Sequence, residues 1–393
     1  MANQKLICKL YKLEGISSLE MVIESILNRT AYEKVYLTKE DKERGIHLQG
    51  DDARFIYNWE TFSQIEELDV PDLSDEEDSL TPAIRFIKAI ANIEYSKQKK
   101  RDDSGNYLPK EKRTHTLPVD VYFLEIDSSI YVVICTSKEV NVKRVKKLIG
   151  ISSFCTNSQD YYLKNDFFNW LFYNYDEENG ILENHFHLKN IGGFIGNITD
   201  EQNIFKGVSQ QTSELIITKA FISNGETLKN VTARIRKENE IDIVFGVDEN
   251  SNTVIYLNQS ENLALFENKD KATFLLVYLY GILIRKLKKI YLTKEKIFIE
   301  ELEGDFSKKI GLEVIKSIIN NNHITINELQ KIFDEETAHA LESEKQLSQL
   351  IIEERLCIYL NKAFLLLLIN VSSSSKSSRV ACFRINDRYK VFR

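Results

Sequence analysis

The segment 119–134 limits the possible folds more than any other stretch of this chain. Val119-Asp-Val-Tyr-Phe-Leu-Glu-Ile is followed by Asp127-Ser128-Ser129 and then by Ile130-Tyr-Val-Val-Ile. β-Branched and aromatic residues on both sides of a short polar turn are typical of a β-hairpin. Because an isolated hairpin is marginally stable, we expect antiparallel or mixed sheets with packed helices, an α+β fold.

Apolar spacing predicts elements in the first part of the chain as well. Residues 5–13 alternate as a strand does, and Ser17 or Ser18 is placed to cap a helix. Residues 83–95 have the apolar spacing of a helix, and Pro82 suits its first position.

The middle of the chain predicts further helices and strands. Residues 166–175 form an aromatic helix pattern, which we interpret as core. Residues 231–235, 240–247 and 253–257 predict a β-meander, and residues 270–289 predict a long buried helix.

The segment 311–371 has an order of elements that suggests a module. One helix ends at the asparagines from Asn320, a second begins at Asn327, and a third follows from Glu335. Short apolar runs then flank Asn361-Lys362, as in a hairpin. This order resembles a winged-helix module, in which the third helix enters the DNA major groove and the hairpin contacts phosphates.

The charge of this winged-helix-like segment does not suit phosphate binding. It carries nine acidic and five basic residues, whereas phosphate contacts need an excess of bases. We therefore interpret the segment as a site for a protein partner or for homodimer formation.

Length and composition predict several domains. The chain has 393 residues and 43 % hydrophobic residues, enough for more than one packed core. The predicted division is an N-terminal α+β domain, a central α+β domain, the winged-helix-like segment, and a Ser-rich link with a β-hairpin tail; these cover residues 1–150, 151–304, 305–371 and 372–393. The first contains an acidic loop at 65–78 and a basic loop at 96–118.

Net charge, cysteines and hydropathy indicate the cellular setting. A formal net charge of −7 excludes a uniformly basic surface but not a local basic patch. The five cysteines are scattered without zinc or redox spacing, which predicts reduced thiols in the cytoplasm. There is no pattern of a signal peptide, and the most hydrophobic run, 272–284, is too short to cross a bilayer.

Two basic stretches, residues 96–118 and 138–147, flank the 119–134 hairpin. Their charge could therefore converge on one surface that binds the phosphate backbone of DNA or RNA. The predicted contacts are Lys97, Lys99, Lys100, Arg101, Lys110, Lys112, Arg113, Lys138, Lys143, Arg144, Lys146 and Lys147.

The same hairpin partly matches the pattern of metal-dependent nucleases. Asp120, Glu125 and Asp127 precede a strand that ends in Thr136-Ser137-Lys138. In such enzymes two carboxylates hold Mg²⁺ and a lysine positions the attacking water. Lys138 is correctly spaced, but Thr136 stands where a carboxylate is required.

His185-Phe186-His187 is a second pattern with possible metal chemistry. On a strand both imidazoles would lie on one face, and Glu183 would join them. No third ligand with motif spacing is near in the sequence, so we expect no metal.

The usual cofactor motifs are absent from the sequence. It has no Gly-Lys-Ser or Gly-Lys-Thr phosphate loop, no Gly-x-Gly-x-x-Gly and no Gly-x-Ser-x-Gly. We therefore expect a non-enzymatic, nucleic-acid-associated protein without a cofactor. Its Lys, Ile and Asn richness is typical of AT-rich bacterial genomes, and an accessory role in phage defence or mobile-element biology fits. A scaffold subunit without nucleic-acid affinity and a divergent metal-dependent nuclease are the alternatives.

Overall fold

The computed structural model describes residues 4–68, 84–150, 154–155, 159–197, 204–208, 216–238, 241–262 and 270–331. The β-strands are β1 (Lys5–Leu13), β2 (Thr30–Lys34), β3 (Arg54–Phe62), β4 (Glu66–Leu68), β5 (Ile84–Ser96), β6 (Thr114–Ile126), β7 (Ser129–Cys135), β8 (Phe154–Cys155), β9 (Ile181–Glu183), β10 (Phe186–Asn197), β11 (Ile204–Val208), β12 (Thr227–Lys237), β13 (Ile241–Asp248), β14 (Thr253–Tyr256) and β15 (Glu261–Asn262).

The α-helices are α1 (Leu19–Ser25), α2 (Lys39–Glu43), α3 (Lys110–Arg113), α4 (Glu139–Ile149), α5 (Asn165–Glu177), α6 (Ile216–Ser223), α7 (Lys271–Tyr278), α8 (Ile284–Ile297) and α9 (Glu303–Asn322). Short π-helical segments, Leu279–Leu283 and Phe298–Leu302, join α7 to α8 and α8 to α9.

The predicted α+β class is confirmed by one large antiparallel sheet covered by helices. Its main order is β11-β10-β12-β13-β14-β1-β7-β6-β5-β3-β2. The predicted hairpin is confirmed at the β6–β7 pair, where Val121 lies opposite Ile134. Asp127 and Ser128 have φ values of 48° and 60°, as a tight hairpin turn requires.

The predicted helix at 83–95 is wrong, because this segment is the strand β5. It pairs with β6 along its whole length, from Arg85 opposite Glu125 to Ser96 opposite Thr114. Both faces of β5 are covered: Phe86 belongs to one core and Ile87 to the other. A strand buried on two faces loses the simple apolar–polar alternation, so its sequence can mimic helical spacing.

Helices cover both faces of the sheet and create two cores. On one face, α1 and α4 cover a core that includes Val121 and Phe123 of β6. On the other face lie Tyr122, Leu124 and the helices α5, α7 and α8. The predicted aromatic helix and the long buried helix are thereby confirmed. Of the helices in the described ranges, none combines the length and the apolar character needed to span a membrane.

Strands that precede Gly150 in the sequence and strands that follow it belong to the same sheet. β1 pairs with β7 along one edge and with β14, which lies after Gly150, along its other edge. Gly150 ends α4 with φ 119°. The chain divides into two compact units, Met1–Ile315 and Lys316–Arg393. The division into domains 1–150 and 151–304 stays a prediction.

In the second unit, the helix end predicted near Asn320 is confirmed: α9 ends at Asn322, and His323 has φ 54°. The next helix, residues 326–331, begins after Thr325 rather than at Asn327. Thr325 donates its backbone N–H to Glu328 Oε2 at 2.8 Å, and Thr325 Oγ1 accepts from the Glu328 backbone N–H at 3.4 Å, a capping box.

Several predicted features lie outside the described residues. They are most of the acidic loop 65–78, the third helix and hairpin of the winged-helix-like segment, the Ser-rich link and the β-hairpin tail.

Candidate nucleic-acid interface

Helix α4 carries the second basic stretch, and its sequence explains both its limits and its orientation. Val142, Val145 and Leu148 are buried against the sheet, a spacing that gives one apolar stripe. Lys138 is the N-cap residue. Gly150 ends the helix with a positive φ, a conformation that residues other than glycine rarely adopt. The apolar face of α4 therefore packs on the sheet, and the opposite face points to solvent.

The outer face of α4 presents lysines to solvent. Lys138 and Lys143 are exposed, and Lys147, one turn after Lys143, is partly exposed. In the described part of the chain, their ammonium groups form no ion pair. Glu139, the acidic residue of this helix, lies 3.5 Å from Lys9 Nζ, so its charge is partly balanced elsewhere. We call Lys138, Lys143 and Lys147 the α4 lysines.

Lys146 lies on aromatic side chains rather than in solvent. Its Nζ is 3.4 Å from the ring centroid of Tyr11 and 5.0 Å from that of Phe154, a cation–π arrangement. Burial lowers the pKa of Lys146, while Glu139 acts in the opposite direction. Lys146 therefore helps to fix α4 on β1 and β8, a structural role.

The two basic stretches meet at Tyr95, near the end of β5. The guanidinium of Arg144 lies 5.8 Å from the ring centroid of Tyr95. On the neighbouring strand β6, the ring centroid of His115 lies 5.4 Å from that of Tyr95. Lys97, two residues further, donates from Nζ to the Glu111 carbonyl at 3.1 Å. The structure therefore brings the start of the basic loop to the side of α4.

The arginines of the basic loop are structural. Arg113 is buried; its Nε donates to the Leu108 carbonyl at 2.9 Å and its Nη2 to the Asp52 carbonyl at 2.6 Å. Arg101 pairs with the buried carboxylate of Asp41. These contacts tie the loop to the chain before β3 and leave little of either guanidinium for a ligand.

The lysines of the basic loop differ in availability. Lys110 pairs with Glu94 at 2.8 Å, with both side chains largely covered. Lys99 lies 3.9 Å from Asp103 in solvent, a contact that contributes little. Lys100 and Lys112 are exposed and have no ion pair within the described ranges. Only the exposed lysines of this loop can join the α4 lysines in binding a ligand.

The nuclease pattern does not assemble around the β6–β7 hairpin. Asp120 lies in the middle of β6 and Asp127 in the turn after it, about 23 Å further along the strand for a rise of about 3.3 Å per residue. Glu125 accepts from Arg85 Nη1 at 2.9 Å, and Asp127 pairs with Arg285. Among the residues that the structure describes, no group of three or more His, Cys, Asp or Glu side chains could hold a metal ion.

The two histidines converge on Glu238, not on Glu183. His185 lies in the turn before β10 with φ 58°. It is therefore not on a strand beside His187, as the sequence pattern assumed. Its Nδ1 is 3.3 Å from Glu238 Oε2, and His187 Nε2 is 3.9 Å from Oε1. The hydrogen bond from His185 lowers the pKa of Glu238. Glu183 instead pairs with Lys286 at 2.6 Å, which corrects the predicted set.

Sequence reasoning missed Tyr95 and His115 as the contact between the basic stretches. Their pairing depends on the β5–β6 register, which cannot be read when β5 is taken for a helix. A strand assignment for residues 84–96 would have placed both rings beside the basic loop.

No protein-family model matches the sequence, and no curated protein is significantly similar to it. The resemblance of residues 311–371 to a winged-helix module stays a prediction.

Proposed function

We propose that this protein is a cytoplasmic, non-enzymatic protein that binds the phosphate backbone of DNA or RNA through the α4 lysines. The observation that carries the proposal is the position of Lys143 and Lys147 on a helix packed rigidly on the sheet. One helical turn separates them by about 6 Å along the axis. Because the helix already holds the backbone of both lysines, their side chains can contact neighbouring phosphates without a large loss of backbone freedom.

The neighbouring contacts support a surface larger than α4 alone. Arg144 on Tyr95 connects the helix to the basic loop, where Lys100 and Lys112 are exposed. The composite site contains only a few cations, within a chain of net charge −7. We therefore expect weak, salt-sensitive binding, of the order of 10⁻⁴–10⁻⁶ M at physiological salt, as for non-specific complexes.

The experiment is a salt titration of the full chain with fluorescently labelled DNA duplex and single-stranded RNA, read by fluorescence anisotropy. The variant Lys143→Glu/Lys147→Glu should lower the affinity about tenfold or more and reduce the slope of log K against log salt by about 2.

A matched control separates local contacts from overall repulsion. Lys294→Glu/Lys296→Glu makes the same charge change at two exposed positions of α8 and should leave the affinity within about twofold. Equal losses in the two variants, or no binding by the unaltered chain at low salt, would refute the proposal. Lys100→Glu/Lys112→Glu then shows whether the basic loop contributes.

A protein-interaction subunit is the second candidate, because large apolar side chains are exposed on the helices that follow the sheet. Leu292 and Ile297 of α8 are 50 % and 53 % exposed, and Leu312 of α9 is 59 % exposed. Exposed apolar side chains on helices can be the contacts of a partner protein. Light scattering of the full chain, run beside the salt titration, distinguishes the candidates: self-association without nucleic-acid binding favours the second.

A further inference from the structure

Cys8 and Cys135 lie 127 positions apart in the chain, yet the fold makes them neighbours. Cys8 of β1 is directly opposite Cys135 of β7 in the antiparallel register. Their Sγ atoms are 4.0 Å apart, and both thiols are free. Their separation in the sequence gives no sign of this pair, and the predicted absence of redox spacing concerned sequence distance alone.

The strand geometry allows a bond between them. Directly opposed residues of an antiparallel pair have Cα atoms about 4.5–5.5 Å apart, within the range of about 4.4–6.8 Å that disulfides accept. The sulfur atoms must approach from 4.0 Å to about 2.05 Å. Rotation about the Cα–Cβ bonds can supply this movement, while the pairing of β1 with both β7 and β14 holds the backbone.

The two thiols differ in access. Cys8 is completely buried, with Thr253 opposite it on the other side of β1. Cys135 is partly exposed at the end of β7. An oxidant can therefore reach Cys135 first, and Cys8 is placed to react with the product. We propose that Cys8 and Cys135 are a redox pair that a hydroperoxide converts into a cross-strand disulfide.

The reaction proceeds in two balanced steps. The Cys135 thiolate attacks one oxygen of the hydroperoxide, the O–O bond breaks, and a sulfenic acid forms with release of hydroxide or alkoxide. The Cys8 sulfur then attacks the sulfenic sulfur, the S–O bond breaks, and water leaves as the disulfide forms. The two sulfurs together lose two electrons, which reduce the hydroperoxide. An external dithiol reverses the oxidation by thiol–disulfide exchange.

The surroundings control the rate of this reaction. The hydrogen bond with Cys8 and burial raise the pKa of the Cys135 thiol well above its ordinary value. Because the thiolate is the nucleophile, we expect slow oxidation at neutral pH and faster oxidation at alkaline pH. The disulfide closes a long loop across the centre of the sheet, so the oxidised protein should unfold at a higher denaturant concentration.

The test uses the full chain with Cys155, Cys357 and Cys382 changed to serine, which retains only the proposed pair. After treatment with hydrogen peroxide, non-reducing peptide mass spectrometry should show a Cys8–Cys135 linked peptide. A thiol titration should show both thiols lost and both recovered with dithiothreitol. The same mapping on the unaltered chain gives the answer if the serine variant does not fold.

Cys135→Ser is the control, because it replaces one small side chain by another at the end of β7. It should leave Cys8 reduced after the same treatment, without a higher unfolding midpoint. The proposal is overturned if Cys135 accumulates as sulfinic or sulfonic acid while Cys8 remains reduced. It is overturned equally if neither thiol reacts at alkaline pH.

Discussion

Arg113 and Lys112 are adjacent in the sequence and equal in charge, but the structure gives them different roles. The Arg113 side chain is only 3 % exposed, whereas Lys112 is in solvent. Arg113→Ala removes donors from the carbonyls of Leu108 and Asp52. A lost hydrogen bond from a charged donor costs about 1.5–3 kcal/mol. The contact with the half-exposed Asp52 carboxylate adds less than about 1 kcal/mol.

The expected loss of unfolding free energy for Arg113→Ala is about 3 kcal/mol, because water partly replaces the lost donors. Lys112→Ala, the matched control, should stay within about 0.5 kcal/mol of the unaltered chain. Urea unfolding followed by tryptophan fluorescence measures both changes, since Trp59 and Trp170 lie in the unit Met1–Ile315. Equal stabilities for the two variants would refute the structural role of Arg113, and an altered m-value would make the comparison invalid.

Two further predictions concern an acid-sensitive ion pair and a close helix–sheet contact. The hydrogen bond from Arg85 lowers the pKa of Glu20 from 4.5 to about 2. Because the pKa is lower in the folded protein, the ion pair stabilises the fold above pH 4.5, and this stabilisation is lost as the pH falls towards 2. The stability difference between the unaltered chain and Glu20→Gln should shrink over this range, and a constant difference would contradict the prediction. A Cβ at Gly281 would meet Ile84 Cδ1, so Gly281→Ala should cost about 1–3 kcal/mol. Adding Ile84→Val, which removes that atom, should give a loss smaller than the sum of the single losses; additive losses in urea unfolding would count against the contact.

The sequence was sufficient to predict an element where a local interaction, such as a helix cap or a tight turn, decides the structure. Ser18 caps α1 by accepting from the Met21 backbone N–H at 3.3 Å, and the 119–134 hairpin was confirmed with its turn. The helix prediction for residues 83–95 was wrong because both faces of the strand β5 are buried. That burial is set by helices far away in the sequence. The pairing of Cys8 with Cys135 likewise depends on the register of β1 against β7, which no sequence spacing encodes.

The candidate interface was predicted only in part, for a related reason. A count of basic residues does not show which of them have partners, and the acids that pair with Arg101, Lys110 and Arg113 come from elsewhere in the chain. Asp41 and Asp52 lie before β3, and Glu94 lies on β5. Because each paired cation loses most of its attraction for phosphate, the proposed binding surface is smaller than the surface predicted from the sequence and is centred on α4.

The kinds of cation that remain exposed limit what this surface can recognise. Arg101 and Arg113 are used inside the protein, where the planar guanidinium donates to several acceptors at once. Arg144 is packed against Tyr95, whereas Lys143 and Lys147 are available to a ligand. An ammonium group acts as a point charge on phosphates, while guanine is read chiefly by paired donors in a fixed geometry. The α4 surface is therefore suited to backbone contact, and its affinity should be the same for duplexes of different sequence.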